Sequence, residues 1–112
     1  MSEITKEFML SKLKEAKQYC VVILKKGPNR NIPNAEQIQF EHGRRNFQLR
    51  EEGKLLIVVP VPGDGEVKGI GSFKSEKMDE VKRIMDDDPG VKTGFFVYEL
   101  YLGISFPGDK LL

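Results

Sequence analysis

Residues 34–60 read NAEQIQFEHGRRNFQLREEGKLLIVVP, and the reading of this stretch decides the fold. Asn34 is a good helix N-cap, and Gln37 stands three residues on, at the spacing of a capping box. Gly53 sits where helices commonly stop, and Lys54 to Val59 follows as a buried strand closed by Pro60. At about 100° per residue, Ile38, His42, Arg45 and Leu49 share one narrow stripe of that helix. A histidine and an arginine bracketed by apolar residues form an odd face to press against a sheet, unless part of it lines a pocket.

Downstream, Pro60-Val61-Pro62-Gly63-Asp64-Gly65 is a turn-rich connection containing the Asp-Gly pair favoured in hairpins. Glu66 to Phe73 resumes as a strand whose Gly69 and Gly71 share one orientation, leaving a groove for close approach. They form no phosphate loop, because the further glycine is absent and strand rather than helix follows. Ser75 is positioned to cap a second helix with Met78, Val81, Ile84 and Met85 on its apolar face. Asp86-Asp87-Asp88-Pro89-Gly90 ends that helix, since proline disfavours helix in the residue before it. Gly94 to Leu102 is the last strand, and the apolar tail Ile104 to Leu112 is expected to dock on a surface.

Upstream, Tyr19 to Lys25 reads as a strand of nearly continuous apolar character, the mark of a central position. Lys25 to Pro33 is loop by its glycine, prolines and asparagines. Thr5 caps a short leading helix carrying Phe8, Met9, Leu10 and Leu13, expected to cover a sheet edge or a partner's surface. Residues 1–18 are thus a helical extension and 19–112 the domain proper.

The order strand, helix, strand, strand, helix, strand is the split βαβ, or ferredoxin-like, plan: α+β, with a four-stranded antiparallel sheet and both helices on one face. The other sheet face is left bare, which predicts a symmetric homodimer through stacked sheets. Phe40 and Phe47, nearly opposite His42, also need a cover.

Bulk properties exclude several classes. Lys and Arg (18) balance Asp and Glu (17), so no strong field draws the chain to nucleic acid or an anionic membrane. No apolar run approaches the ~20 residues of a membrane span. The N-terminus does not read as a signal peptide, and the single cysteine, Cys20, precludes an internal disulfide and suits a reducing compartment, so the cytoplasm is the expected location. A lone histidine without a cysteine cluster argues against zinc, and Asp86 to Asp88 read as a solvated helix end, so neither metal nor cofactor is expected.

Topology brings the polar candidates together. If the first strand runs up, His42 lies in the upper half of its helix, while Asp64 and Asp88 both fall on loops at the top. Asn46 adds a polar group one turn from His42. A histidine beside a carboxylate is held in one tautomer and kept basic enough to move a proton near neutral pH. The pattern leaves open which aspartate pairs with it, and a buried histidine satisfied by a carbonyl is the structural alternative.

Glu41-His42, Leu49 to Leu56, the Pro60 to Gly65 turn and Asp88 to Gly94 together resemble the YCII-related (YciI-like) family, from about Tyr19 to Tyr101. The resemblance implies a dimeric α+β barrel and an enzymatic site built on a histidine and an aspartate, with His42 and Asp88 at the matching positions and Asp64 after the turn. Gly43 and Asn46 stand where relatives more often carry leucine, which makes the wall more polar. The implied function is general acid/base chemistry (elimination, isomerisation or hydrolysis) on a small oxygenated, cyclic or aromatic compound. His42, Asp64 and Asp88 are then the catalytic candidates, and Arg45 and Asn46 the substrate-binding ones. The alternative is a dimer that binds a small ligand without turning it over.

Overall fold

The computed structural model describes residues 3–112. The chain forms α1 (Lys6–Glu15), β1 (Lys17–Lys26), α2 (Ala35–Glu51), β2 (Leu55–Pro60), β3 (Val67–Phe73), α3 (Met78–Asp86), α4 (Pro89–Lys92) and β4 (Phe96–Ser105). The strands make one sheet in the order β2-β3-β1-β4, with every neighbouring pair antiparallel. This is the ferredoxin-like arrangement that the alternation of periods predicts.

Pairing Leu24 with Gly69 and Tyr98, and Val22 with Gly71 and Leu100, aligns one face of the sheet under the helices. That face carries the core: Cys20, Val22, Leu24, Leu55, Phe73 and Phe96 are buried with Leu49 of α2 and with Val81 and Met85 of α3. The opposite face has no cover in the protomer, and Val59, Ile70, Val97 and Tyr101 on it are more than two-fifths exposed.

Helix ends show where local chemistry departs from the simplest reading. The α2 C-terminus is as expected: Gly53 adopts φ +76°, its N–H donates to the Arg50 carbonyl, and the Lys54 N–H donates to that of Leu49. These two bonds form a Schellman motif. The capping box at the other end does not form. Asn34 occupies the N-cap with ψ 31° rather than extended backbone, and its side chain makes no capping bond. The helix is entered through a turn in which the Ala35 N–H donates to the Ile32 carbonyl, while Gln37 bonds forward to Glu41 at 3.1 Å. Ser75 likewise stands two residues early. Its hydroxyl accepts from the Lys77 N–H, and Lys77 is the N-cap of α3.

Two further expectations are corrected. Helix α3 does stop before Pro89, at Asp86 with Asp87 as its C-cap, but Asp88 starts another: it is the N-cap of α4 with Pro89 in the first turn, an arrangement proline's fixed φ favours. The C-terminal tail does not dock on the protomer. Ile104 and Ser105 extend β4 opposite Gln18 and Lys17, and Leu111 and Leu112 are exposed. Helix α1 is capped by Thr5 as expected, with the Phe8 N–H on its hydroxyl at 3.1 Å, yet it buries no residue and so covers no sheet edge in its own chain.

Candidate active site

The site is set by where α2 crosses the sheet. Gly69 and Gly71 remove two side chains from the floor beneath it, and the space becomes a pocket of about 520 Å³. Its walls are His42, Gly43, Asn46 and Phe47 from α2, with Val22 and Leu24 from β1. Leu55 and Val58 of β2, the Pro60–Gly63 turn, Met85 and Phe96 complete it. Most of this lining is apolar. The polar groups are few: the histidine, the carboxamides of Asn46 and Gln39, and Lys68, whose ammonium donates to the Gly63 carbonyl at 2.6 Å.

His42 is held from behind by Asp88. The imidazole Nδ1 lies 2.9 Å from each carboxylate oxygen of Asp88, and the aspartate is 1% exposed. An ionised carboxylate only accepts, so Nδ1 carries the proton and, in the neutral ring, Nε2 is the acceptor. The Asn46 amide then donates to Nε2 at 3.2 Å, one helical turn along. The Phe96 ring packs on the imidazole with centroids 4.7 Å apart.

Asp88 is itself fixed by the backbone it caps. Oδ2 accepts from the Gly90 N–H at 2.9 Å and the Val91 N–H at 3.3 Å, so the start of α4 presents its free amides to the carboxylate. Gly90 is required by packing, because a Cβ there would meet Phe96 at 2.5 Å and the Asp88 oxygen at 3.0 Å. Arg45 stands further out, with Nη1 3.7 Å from Asp88 and Nη2 3.9 Å from Asp87. The hydrogen bond from Lys92 to Asp87, and then the charges of Lys92 and Arg45, hold the Asp87 carboxyl below its ordinary range. Among the described residues, no buried side-chain polar atom lacks a partner.

Of the five residues nominated from sequence, the structure brings three together: His42, Asp88 and Asn46. Asp64 stays apart. It sits in the exposed turn next to the pocket rim, where its carbonyl accepts from Lys26 at 2.7 Å, and its carboxylate does not reach His42. Arg45 faces away from the pocket, into a shallow groove shared with Arg83 and Ile84, and acts on the site only through the aspartates. The sequence reading did not identify the Gly90 and Val91 amides or the Phe96 ring. The signal for the amides was present in Asp-Pro-Gly, which reads equally as a helix stop and as a helix start. No group of three or more His, Cys, Asp or Glu side chains suited to a metal ion exists among the described residues, and no helix is long and apolar enough to cross a membrane.

Fold and site together define a class: a ferredoxin-like domain with a carboxylate-oriented histidine on the wall of a largely apolar pocket. No protein-family model matches the chain, and no curated protein does. Among solved structures, the chain is similar to 5-chloro-2-hydroxyhydroquinone dehydrochlorinase (TftG) from Burkholderia phenoliruptrix AC1100, in complex with 2,5-dihydroxybenzoquinone. That match has a TM-score of 0.47 and 19% identity over 77% of this chain and 90% of that one. It is also similar to the methylated RPA0582 protein, with a TM-score of 0.40 and 15% identity over 96% of each chain. Likeness at this distance transfers neither a residue nor a reaction.

Proposed function

We propose that this chain is a small-molecule enzyme in which His42, oriented by Asp88, performs general acid/base chemistry on a small oxygenated ring compound. One observation carries the reading: an imidazole on a pocket wall has its rear nitrogen fixed by a buried, backbone-held carboxylate. In this arrangement Nε2 is the reactive atom. It takes a proton from carbon beside a substrate carbonyl, and the freed electron pair either expels a leaving group or shifts a double bond. The imidazolium is stabilised by the Asp88 carboxylate and returns its proton to the leaving atom or to the shifted position. A positioned base of this kind contributes about 10²- to 10⁴-fold to a rate. Asn46 releases Nε2 as substrate enters, and its carboxamide is then free to bond a substrate oxygen. The apolar walls suit a ring, and the chemistry fits the YciI-like resemblance of the sequence. Two protomers stacked through the open sheet face are the proposed assembly.

One observation favours the alternative of a binding module without turnover: both ring nitrogens of His42 already have hydrogen-bond partners. Incubating the protein and His42→Ala with hydroquinones and unsaturated lactones separates the two readings. Consumption by the parent chain, reduced at least ~100-fold in a folded variant, supports catalysis. Equal consumption by both removes His42 from the chemistry, and ligand that binds unaltered supports the carrier.

A further inference from the structure

We infer that the guest of the His42 pocket is an anion: a monocyclic acid whose carboxylate is held by the Lys68 and Lys26 ammonium groups at the β2–β3 turn. It rests on the acid/base reading for the direction in which the ring faces, and it adds the charge of the compound on which that chemistry acts.

The charges around the cavity are one-sided. Apart from His42, Lys68 is the one ionisable side chain in the lining, and no aspartate or glutamate stands among the described residues that form it. The Asp88 charge lies behind the imidazole, where the Gly90 and Val91 amides bind it and Arg45 approaches to 3.7 Å. What borders the apolar space is therefore positive, and an opposite charge brought into such a space is attracted more strongly than in water.

A second lysine converges on the same corner. Lys68 Nζ donates to the Gly63 carbonyl at 2.6 Å, and Lys26 Nζ donates to the next carbonyl, that of Asp64, at 2.7 Å. Both side chains are half-buried, and among the described residues neither enters an ion pair, whereas Lys12, Lys25, Lys54, Lys82 and Lys92 do. The nearby carboxylates of Asp64 and Glu66 are on exposed residues and answer neither ammonium. An ammonium has three N–H donors, and one carbonyl engages one of them. Each lysine thus keeps donors for a further acceptor, and the two oxygens of one carboxylate serve both lysines in charge-assisted bonds.

The sheet sets the distance from this corner to the base. Phe96, on which the imidazole packs, pairs with Lys26 at the end of β1, and the Lys26 N–H donates to the Glu66 carbonyl just before β3. His42 and the two lysines therefore stand at one end of the sheet, above β4 and β3, with β1 between those strands. Two inter-strand steps make about 10 Å, a span that one ring bridges with a polar group at each end. The cavity of about 520 Å³ has room for such a molecule.

The probes are 4-hydroxybenzoate and its methyl ester, the same ring with and without the charge, titrated by calorimetry at pH 7 in low salt. The parent chain is expected to bind the acid at least ~10-fold more tightly than the ester, the size of a hydrogen bond between charged groups. In Lys26→Met/Lys68→Met the acid is expected to fall to the level of the ester, whose own affinity stays unchanged and reports an intact pocket; Lys68→Arg keeps the preference. Equal affinities in the parent, no binding of the acid at millimolar concentration, or a preference that survives the double substitution overturns the inference. A readout that needs no variant is the amide signals of Gly63 and Asp64 in the parent, expected to shift with the acid and not with the ester; equal shifts with both overturn it. None of these measurements involves turnover. Charge preference with no compound ever consumed refutes the acid/base reading alone, and consumption without charge preference refutes this inference alone.

Discussion

Replacing Asp88 with alanine tests the central claim, that one carboxylate both starts a helix and orients the histidine. The substitution takes away an N-cap, worth about 1 kcal/mol. It also strands the Gly90 N–H, which lies 2.9 Å from Oδ2, and the His42 Nδ1–H in a site where the aspartate is 1% exposed. A buried donor left without an acceptor costs about 1 to 3 kcal/mol, and the losses overlap because the same oxygens serve several donors. About 3 to 4 kcal/mol is the expected total, a large part of the ~5 to 15 kcal/mol that holds a domain together. With a urea slope near 2 kcal/mol/M, the unfolding midpoint falls by about 1.5 to 2 M. Asp88→Asn is the control. Its carbonyl oxygen keeps the two backbone bonds, while its amide turns His42 to the other tautomer, so it is expected to lose only about 1 kcal/mol and yet to lose the imidazolium's partner. Far-UV circular dichroism against urea measures both variants. An alanine loss below about 1 kcal/mol, or an asparagine loss equal to the alanine one, refutes the hydrogen-bond accounting.

Three further outcomes follow from the same geometry. Because His42 is the only histidine, its ring nitrogens need no assignment, and the ¹⁵N chemical shifts of the neutral ring are expected to show the Nδ1–H tautomer; the Nε2–H pattern would contradict the Asp88 bond. Gly27→Ala is expected to prevent folding or to lower the melting temperature steeply, because its Cβ would stand 2.0 Å from the Gly94 carbonyl oxygen, and backbone does not yield as a side chain does; a melting temperature within a few degrees of the parent's contradicts this. The Asp86 carboxyl is held below its ordinary value by hydrogen bonds from Lys82 and Tyr98, so the stability it adds is present above its unfolded pKa and lost as pH falls through the folded one. Tyr98→Phe is therefore less stable than the parent at pH 7, and the gap narrows in acid titrated below about pH 4; a gap that widens in acid contradicts the linkage.

Sequence periodicity located every strand and the two helices α2 and α3 that pack on the sheet, because burial sets those patterns over many residues. Ile38, His42 and Leu49 do line the inner side of α2, and the two glycines of β3 do open a groove. What escaped was decided by one or two backbone angles. Asn34 carries the right side chain, but a ψ of 31° aims it away from the amides it was expected to cap. Asp64 and Asp88 fall on the same rim in any drawing of the topology, and only the short helix α4 turns one of them toward the imidazole. Arg45 shares a helical stripe with His42 but lies on the flank nearer α3, where Asp87 draws it outward. The length of β4 was missed for a different reason: Gly103 to Ser105 make a poor strand alone and are ordered by pairing with Lys17 to Tyr19.

The floor made by Gly69 and Gly71 has a practical consequence. At Gly69 an added methyl would approach nothing closer than the Val59 carbonyl at 3.5 Å, with the Leu24 Cβ at 3.9 Å and Pro60 at 4.0 Å, whereas at Gly71 it would press on Leu55 at 3.2 Å. The first position tolerates a carbon that the second resists. Capacity for guest molecules is therefore adjustable from a single strand, in steps of one methyl group, without touching either the imidazole or its aspartate.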